Sequence, residues 1–311
     1  MKLCQFYLTE QERTADLRRR LPRTARVGLV ENDTVFDVTQ LVRTPDVDGP
    51  TCNSALAFLL SGRTWKDLGD APFTHGHHTL NDVFLGPPVL RPPQFMDFYA
   101  FEQHVRTARA KRGLDIEPLW FEIPVYYNTN SYAVYGHRQT IYYPREEDRL
   151  DYELELACVI GREIRDADEA TARDAIAGYT IFNDCSARTR QQKAMKVGLG
   201  PSPGKDFASV LGPCLVTRDE VPDYSKLAMR AFVNGEKWSE GVAGRMQHSF
   251  ESMIVYASKS RTLFPGDVIG SGTVGGGCGL ELDRFLKPGD VVRLEIDRLG
   301  ALENRVAYEG D

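Results

Sequence analysis

The segment from Asp151 to Gly161, DYELELACVIG, constrains the fold most, because it places two glutamates inside an otherwise apolar strand pattern. Successive side chains of a β-strand point to opposite faces. One face carries residues suited to a core: Leu154, Leu156, Cys158 and Ile160. The other face carries Glu153, Glu155, Ala157 and Val159. The segment therefore predicts a strand with a core face and an opposite face that begins acidic and turns apolar.

Glu153 and Glu155 are neighbours on the second face, roughly 6–7 Å apart along a strand. At an effective dielectric constant of about 20, their repulsion is about 2 kcal/mol. Taken alone, the segment favours an ordinary amphipathic strand with a solvated face. Two features favour a cleft instead: this face turns apolar further along, and a third carboxylate, Asp184, follows the apolar run 179–183. Carboxylate oxygens are suitable ligands for Mg²⁺, Ca²⁺ or Mn²⁺.

Residues 1–90 predict a small β-rich N-terminal domain. Segment 26–39 has two apolar strands around Glu31-Asn32-Asp33, which is a hairpin pattern. A short helix is predicted from 53 to 60. The proline-rich stretch 86–93 is interpreted as the linker to the next domain.

Residues 91–311 predict a larger, β-dominated domain that we expect to be catalytic. Its helices are predicted at 98–112, 168–177 and 186–197, with Gly113 just past the first and Gly178 as the stop of the second. Most of the remainder alternates short apolar runs with turns, including an Asn234-Gly235 hairpin. The expected fold class is α+β, closer to a mixed β-roll or barrel than to a βαβ fold.

Composition excludes several classes of protein. The net charge is −6 and the pI is near 5.6, so we expect no nucleic-acid partner. No apolar run approaches the ~20 residues of a membrane span, and the N-terminus has no apolar signal core. The six cysteines show no C-x-x-C spacing. We therefore expect a cytoplasmic protein with reduced, mostly buried thiols.

Four ordered blocks give the sequence a specific resemblance. They are DFYAFEQH (97–104), DYELE (151–155), IFNDCSARTRQQ with GLGPSPGKDF (181–207), and GSGTVGGGCGLEL (270–282). In this order they resemble the fumarylacetoacetate hydrolase superfamily. The resemblance implies that superfamily's mixed β-roll or barrel for the catalytic domain.

The resemblance also implies a site. The positions that match its metal-binding carboxylates are Asp97, Glu153, Glu155 and Asp184, for which Mg²⁺ is the first expectation and Mn²⁺ or Ca²⁺ the alternatives. The superfamily's hydrolytic members activate water with a histidine–glutamate pair, which matches His104 and Glu281. If a helix began at Asp97, Asp97 and His104 would lie two turns apart on one face.

Further positions match residues that hold the substrate or take part in the reaction. Lys205 is expected to be catalytic, and it lies in a Pro/Gly-rich loop. The expected substrate-binding residues are Tyr127, Arg188, Gln191 and Thr273. Arg188 and Gln191 are spaced i,i+3 and project together from a helix, where Arg188 could clamp a carboxylate.

The implied function is hydrolysis of a carbon–carbon bond in a small 1,3-diketo or oxo acid, such as an acylpyruvate. Oxaloacetate-type decarboxylation, and isomerisation or hydration of dienoic acids, remain alternatives within the same fold, as does a non-catalytic binding protein. Cys185, Ser209 and the glycine-rich loop 275–279 depart from the usual pattern, which leaves the substrate open. A homodimer is also expected from the resemblance. Histidines with the spacing of His75-Gly76-His77-His78 can bind zinc, but the Thr/Gly/Pro-rich context of this segment favours a surface loop.

Overall fold

The computed structural model describes residues 1–19, 24–42, 55–60, 62 and 76–310. The strands among them are β1 (Lys2–Tyr7), β2 (Arg26–Glu31), β3 (Thr34–Asp37), β4 (His77–Thr79), β5 (Phe84–Gly86), β6 (Phe95–Phe98), β7 (Tyr126–Asn128), β8 (Val134–Tyr135), β9 (Thr140–Tyr143), β10 (Leu150–Asp151), β11 (Leu154–Ile160), β12 (Ile164–Arg165), β13 (Ile176–Asp184), β14 (Ser186–Ala187), β15 (Ser209–Thr217), β16 (Ala228–Val233), β17 (Glu236–Val242), β18 (Thr262–Leu263), β19 (Val268–Gly270), β20 (Val291–Ile296) and β21 (Gly300–Tyr308). The helices are α1 (Glu10–Arg19), α2 (Thr39–Val42), α3 (Ala55–Leu60), α4 (Glu102–Ala110), α5 (Glu169–Ala175), α6 (Arg188–Lys196), α7 (Phe250–Ala257) and α8 (Gly279–Leu282).

Two large sheets organise the described part of the chain. The main path of a twelve-stranded sheet runs β4-β3-β2-β1-β15-β13-β11-β19-β6-β7, with β5 on β1 and β8 on β15. A five-stranded sheet has the order β17-β16-β20-β21-β9. The fold is therefore α+β and dominated by strands, as predicted. Because β1 pairs with β15, strands from both predicted domains share one sheet, and the boundary near residue 90 stays a prediction.

Strand β11 separates two parts of the core. The predicted core face, Leu154 to Ile160, packs into the largest apolar cluster together with Met229, Leu294 and Phe250. On the opposite face, Ala157 and Val159 pack with Phe95, Phe182 and other residues of a second cluster. All seven residues of β11 are buried, so the strand is covered on both faces and its acidic end lies inside the protein.

Several local predictions are confirmed. Strands β2 and β3 form the predicted hairpin, with Asn32 in the left-handed region at φ 52°. Asn234 and Gly235 connect β16 and β17 with φ values of 51° and 83°, the signs that a type I′ turn requires. In the described part of the chain the cysteines are free and buried, whereas Cys52 lies outside it.

The predicted start of the first long helix was wrong. Phe98 belongs to strand β6, whose backbone pairs with β19, and helix α4 begins only at Glu102. Asp97 and His104 therefore do not share a helix face. The helix prediction for 168–177 was also too long, because α5 ends at Ala175 and Gly178 lies inside β13.

Gly178 is needed in the strand for a packing reason. A Cβ atom at this position would lie 2.3 Å from the carbonyl oxygen of Val216 on the neighbouring strand. The glycine therefore permits close approach of β13 to β15 and does not end a helix. The third predicted helix, 186–197, is observed as α6, which begins at Arg188. The first two residues of the predicted range, Ser186 and Ala187, form strand β14 instead.

Candidate metal centre and active site

Four carboxylates from three strands of the large sheet reach one point. Asp184 ends β13, Glu155 lies in β11, and Asp97 lies in β6. Glu153 precedes β11 and is fixed by its backbone N–H, which donates to Asn183 Oδ1 at 3.1 Å. These strands are near neighbours in the sheet, in the order β13-β11-β19-β6.

Strand β19 makes room for the cluster with a glycine. Gly270 is paired with Asp97 across the parallel β19–β6 ladder. A Cβ atom at Gly270 would lie 2.5 Å from Asp97 Oδ1. The glycine therefore leaves space for this carboxylate to lie between two strands.

The four side chains have the geometry of a metal site. One oxygen from each of Asp97, Glu153, Glu155 and Asp184 lies within 4.8 Å of the others, and all four residues are buried. Asp97 Oδ1 and Asp184 Oδ1 are buried and accept no hydrogen bond in the described structure. Buried acceptors without donors are costly, and hard carboxylate oxygens are ligands that Mg²⁺ and Mn²⁺ prefer. The cluster therefore fits a divalent cation.

The carboxylates of the cluster differ in the direction in which the protein shifts their pKa values. Burial raises the pKa of Glu155 well above its ordinary value, and the neighbouring charge of Asp97 raises it further. Burial likewise raises the pKa of Asp184 well above its ordinary value. For Glu153, burial opposes ionisation, but Lys205 and Arg188 outweigh it and hold its pKa well below the usual range.

Lys205 is the cation inside the cluster. Its ammonium group donates to both Glu153 Oε2 and Asp184 Oδ2. Tyr127 donates its hydroxyl to the same Asp184 oxygen at 2.6 Å. Burial lowers the pKa of the lysine, yet the charges of Asp184 and Glu153 outweigh it, so the pKa is raised and Lys205 stays protonated.

The segment just after β19 contacts the carboxylate of Glu155. The backbone N–H of Gly272 donates to Glu155 Oε2 at 2.9 Å, and Thr273 Oγ1 lies 3.4 Å from Oε1. Gly272 has φ +80°, and a Cβ atom there would lie 2.7 Å from the carbonyl oxygen of Phe98. The predicted role of Thr273 in substrate binding remains open, because its hydroxyl already contacts a cluster carboxylate.

His104 and Glu281 form a buried pair. His104 Nδ1 lies 2.7 Å from Glu281 Oε1, and the backbone N–H of Gly276 donates to Glu281 Oε2 at 2.9 Å. Since the glutamate accepts from both sides, Nδ1 carries the proton and Nε2 is the nitrogen available as a base. Tyr99 packs edge-on against the imidazole at a centroid distance of 5.4 Å. Cys278 Sγ lies 3.6 Å from Glu281 Oε1.

The cluster and the pair share one cavity of about 690 Å³. Nine of the predicted site residues line it: Asp97, His104, Tyr127, Glu153, Glu155, Arg188, Gln191, Lys205 and Thr273. The other two, Asp184 and Glu281, contact lining residues directly. The structure thus brings together all the residues that the resemblance suggested, whereas their roles remain predictions.

Arg188 has a different environment from the one expected. Its side chain is buried and donates to Asp151 Oδ2 at 2.7 Å and to Glu153 Oε1 at 2.7 Å. Its remaining terminal nitrogen donates to Gln191 Oε1 at 3.0 Å. All three nitrogens of the guanidinium group are engaged within the protein. Arg188 is therefore placed to orient Glu153, and its role in clamping a substrate carboxylate stays a prediction.

Two supporting acidic residues were missed in the sequence. Asp151 is fully buried and accepts from Gly279 N at 2.7 Å and Leu280 N at 2.9 Å, besides pairing with Arg188. It thereby connects the cluster to α8, which carries Glu281. Glu147 caps α6 by accepting from Thr189 N at 3.0 Å and Arg190 N at 3.1 Å. Asp151 lies within the DYELE block, so the motif could have indicated its role. Glu147 lies outside the four blocks, and the sequence did not indicate a role for it.

The histidines considered for zinc lie elsewhere. His77 and His78 are in β4, which pairs with β3, so a short edge strand replaces the expected loop. His75 lies outside the described residues. Within the described ranges, the residues placed to hold a metal are the four cluster carboxylates and the group His104, Cys278 and Glu281, and neither contains these histidines. No helix among the described residues is long and apolar enough to cross a membrane.

Comparison with known protein families identifies the chain. The model described as the C-terminal domain of fumarylacetoacetate (FAA) hydrolase matches residues 94–307, which is more than half of the sequence. The chain belongs to the fumarylacetoacetate hydrolase family. The matched region includes all eleven predicted site residues, so the cluster and the histidine–glutamate pair lie in the part of the chain that defines the family.

A curated relative matches part of the chain. A mitochondrial protein of Xenopus laevis named oxaloacetate tautomerase fahd2 is 41% identical over 186 residues, which cover 59% of this chain and 58% of the relative. The chain therefore spans less than two thirds of that relative's length.

Solved structures match along almost the whole chain. The fumarylacetoacetate hydrolase of Exiguobacterium antarcticum is 27% identical with a TM-score of 0.76, covering 99% of this chain and 100% of that one. A maleylpyruvate hydrolase of Sphingobium sp. SYK-6, solved with manganese(II) and pyruvate, is 22% identical with a TM-score of 0.73 over 99% of both chains. The second match shows the shared fold alone.

Proposed function

We propose that this family member is a metal-dependent hydrolase that cleaves a carbon–carbon bond in a 1,3-diketo acid of the acylpyruvate type. The observation that carries the proposal is the buried His104–Glu281 pair, in which Nδ1 lies 2.7 Å from Oε1. The pair lies beside the four-carboxylate cluster in the same cavity. A base next to a Lewis-acid site is the combination that hydrolysis of a β-diketone requires. The Exiguobacterium structure, named a fumarylacetoacetate hydrolase, supports the same reaction class.

Asp97, Glu153, Glu155 and Asp184 would hold the metal, for which Mg²⁺ is our first proposal and Mn²⁺ or Ca²⁺ the alternatives. The manganese(II) ion in the maleylpyruvate hydrolase structure supports a divalent cation. When bound, such an ion polarises a carbonyl group and offsets the negative charge that develops when the carbon–carbon bond breaks. The two oxygens without donors in the cluster support this assignment.

The protein side chains carry out the proton transfers. His104 Nε2 takes a proton from water, while Glu281 accepts the Nδ1 hydrogen bond and stabilises the imidazolium that forms. The resulting hydroxide adds to the carbonyl carbon. The bond to the adjacent carbon then breaks, its electron pair leaves with the departing enolate, and a proton returned from His104 converts that enolate to the ketone.

Lys205 and its neighbours set the charge around the departing group. The ammonium group is fixed between Glu153 and Asp184, and its third hydrogen can face an oxygen of the substrate. Negative charge that develops on this oxygen is stabilised by a hydrogen-bond donor that is already correctly positioned. Such preorganised donors are usually the largest contribution to electrostatic catalysis. Tyr127, Arg188, Gln191 and Thr273 line the cavity and remain our proposed substrate contacts.

A second candidate reaction is keto–enol tautomerisation of oxaloacetate. It is favoured by the relative named oxaloacetate tautomerase, which is 41% identical over 186 residues. The same base could move a proton between carbon and oxygen without adding water. Decarboxylation, isomerisation or hydration, and a non-catalytic binding role, stay as further alternatives.

Product analysis separates these reactions. The purified protein would be supplied with Mg²⁺ or Mn²⁺ and a panel of acylpyruvates, fumarylacetoacetate-like acids and oxaloacetate in ¹⁸O-labelled water. Hydrolysis predicts two shorter products, with the label in the new carboxylate. Enol-to-keto conversion of oxaloacetate without cleavage would identify a tautomerase, and CO₂ release would identify a decarboxylase. Inertness on the whole panel, with no bound metal, would favour a binding protein.

We also propose that the protein is a homodimer, as the resemblance suggested, and that it is cytoplasmic, as the cysteine pattern suggested. Light scattering coupled to gel filtration tests the assembly directly. A mass close to twice the 34.9 kDa of the chain is expected, and a monomer would contradict the proposal.

A further inference from the structure

A buried thiol lies beside the histidine–glutamate pair. Cys278 Sγ is 3.6 Å from Glu281 Oε1 and 3.9 Å from His104 Nδ1. One atom from each of the three residues lies within 4.8 Å of the others. Thiolate sulfur, imidazole nitrogen and carboxylate oxygen are the ligands that zinc takes in proteins. The proposed hydrolysis uses the histidine and the glutamate, but it gives the thiol no role.

The fold holds these three donors in place from two helices. Cys278 and Glu281 are three residues apart at the beginning of α8, and His104 belongs to α4. A β-bridge to Glu153 fixes the backbone of Cys278, and the backbone N–H of Gly276 donates to Glu281 Oε2. The other glutamate oxygen, Oε1, is the one that faces the thiol and the imidazole. All three side chains are buried, so the donors are positioned away from bulk water.

The distances among the donors are close to those of a tetrahedral zinc site. With Zn–S and Zn–N bonds of about 2.3 Å and 2.0 Å, neighbouring ligand atoms lie about 3.3–3.6 Å apart. The distances from the sulfur, 3.6 Å and 3.9 Å, need little change. The 2.7 Å between His104 Nδ1 and Glu281 Oε1 is a hydrogen-bond length. It would increase by about 0.6 Å when a cation replaces the proton between these two atoms.

We propose that His104, Cys278 and Glu281 form a second metal site, selective for Zn²⁺, whose occupation switches off the catalytic base. Thiolate and imidazole ligands favour zinc, whereas Mg²⁺ prefers the all-oxygen set of the carboxylate cluster. The two neighbouring sites would therefore take different cations. Zinc binding is independent of the proposed function, but its inhibitory effect rests on that function, in which His104 Nε2 is the base.

The tautomer of His104 explains how zinc would inhibit. In the metal-free pair Nδ1 carries the hydrogen and Nε2 has the free lone pair. A cation on Nδ1 uses the lone pair of that nitrogen, so the imidazole hydrogen moves to Nε2, which can then no longer accept a proton from water. Burial raises the pKa of the Cys278 thiol, so the metal-free thiol is neutral and zinc binding releases its proton to solvent. Zinc would thus block the base without entering the carboxylate cluster.

Cobalt(II) tests the site without any measurement of activity, because Co²⁺ substitutes for zinc and a cobalt–thiolate bond gives a near-ultraviolet charge-transfer band. Wild-type protein saturated with Mg²⁺, which fills the carboxylate cluster, would be titrated with Co²⁺ and then with Zn²⁺. We expect a band that Zn²⁺ abolishes and that Cys278→Ser lacks. Cys214→Ser, at another buried thiol, is the matched control and should keep the band.

Glu155→Gln locates the cobalt ion. This variant lacks a ligand of the carboxylate cluster, so it should keep the band if the thiol site is separate. Loss of the band in Glu155→Gln would overturn the proposal. Absence of a band in the wild type, or a full band in Cys278→Ser, would overturn it as well.

Zinc titrations of the reaction test the inhibitory effect. At saturating Mg²⁺, Zn²⁺ is expected to lower kcat and leave KM nearly unchanged, because the site does not include the proposed substrate contacts. Each variant is compared with its own zinc-free rate, after thermal unfolding has verified that it folds. The zinc concentration for half-inhibition should rise about tenfold or more in Cys278→Ser and stay unchanged in Cys214→Ser.

The two assays distinguish failure of the zinc site from failure of the proposed reaction. Equal half-inhibition concentrations in wild type and Cys278→Ser would overturn the inhibitory role. A cobalt–thiolate band in a wild-type protein that cleaves no acylpyruvate would overturn the proposed reaction and leave the second metal site standing.

Discussion

His104 Nδ1 lies 2.7 Å from Glu281 Oε1, although the two residues are 177 positions apart. Helix α4 carries the histidine and α8 carries the glutamate. Asp151 accepts hydrogen bonds from the backbone of α8 and pairs with Arg188, which in turn contacts Glu153. A chain of buried polar contacts thus connects the proposed base to the proposed metal site.

Replacing the base should separate catalysis from metal binding. His104→Ala is expected to reduce kcat by about 10²- to 10⁴-fold, the range over which general bases act. Mn²⁺ affinity should remain close to that of wild type, because the histidine lies outside the four-carboxylate cluster. Assays of product formation would measure kcat, and Mn²⁺ titrations would measure the metal affinity. The exposed His77→Ala is the control, and wild-type rates in His104→Ala would refute the assigned role.

Removing one cluster carboxylate should have opposite effects on the metal-free and metal-loaded proteins. Glu155→Gln removes the cost of burying an ionisable carboxyl group beside other carboxylates, so the metal-free variant is expected to be more stable by on the order of 1–2 kcal/mol. The same change removes a ligand, so added Mg²⁺ should no longer raise the melting temperature and hydrolysis should be lost. Urea unfolding with and without Mg²⁺ measures this. Glu163→Gln, on an exposed residue, should behave as wild type.

The raised carboxylate pKa values predict a dependence of stability on pH. Because Glu155 and Asp184 bind protons more tightly in the folded state than in the unfolded one, their contribution to stability is fully present below their ordinary pKa values of 4.5 and 3.8. It is lost as pH rises toward their raised pKa values. The metal-free protein should therefore lose stability as pH increases through this window. Bound Mg²⁺ should reverse the trend, because the cation favours the ionised carboxylates.

Calorimetry in buffers of different ionisation enthalpy provides the matching test. Metal binding is expected to release protons at a pH where the carboxyl groups with raised pKa values are partly protonated, because the cation favours their ionised forms. Zero net proton release at every pH tested would contradict this explanation of the cluster.

Gly270 gives a test of the space around Asp97. In Gly270→Ala the added Cβ would lie 2.5 Å from Asp97 Oδ1, so this carboxylate must move. We expect Mn²⁺ affinity to fall by about tenfold or more, corresponding to one weakened ligand contact. Gly76→Ala is a suitable control, because a Cβ atom there meets nothing within 4 Å. Unchanged affinity in Gly270→Ala would argue against a ligand role for Asp97.

The structural features that could be predicted from the sequence are those that depend on local periodicity. The two faces of β11 were predictable, since alternation along a strand needs no knowledge of distant residues, and both hairpins followed from Asn at positions that require φ > 0. The start of α4 was not predictable in this way. Asp97 is in a strand because β19, some 170 residues later, pairs with it in parallel, and Phe98 pairs with Tyr126 of β7. Non-local pairing overrides local helix preference at such positions.

Side-chain roles were harder to predict than side-chain positions. Motif blocks identified Arg188, but its engagement by Asp151, Glu153 and Gln191 depends on contacts that only the folded chain shows. Gly178 had the sequence context of a helix stop, whereas its function is close packing against Val216.

The most direct test of the central claim is a crystal of the protein soaked with Mn²⁺ and measured at the manganese absorption edge. The account predicts one strong anomalous peak, bounded by oxygens of Asp97, Glu153, Glu155 and Asp184, with His104 facing the same cavity. A crystal whose cluster shows no anomalous peak at saturating Mn²⁺, with Lys205 alone balancing the carboxylates, would contradict it.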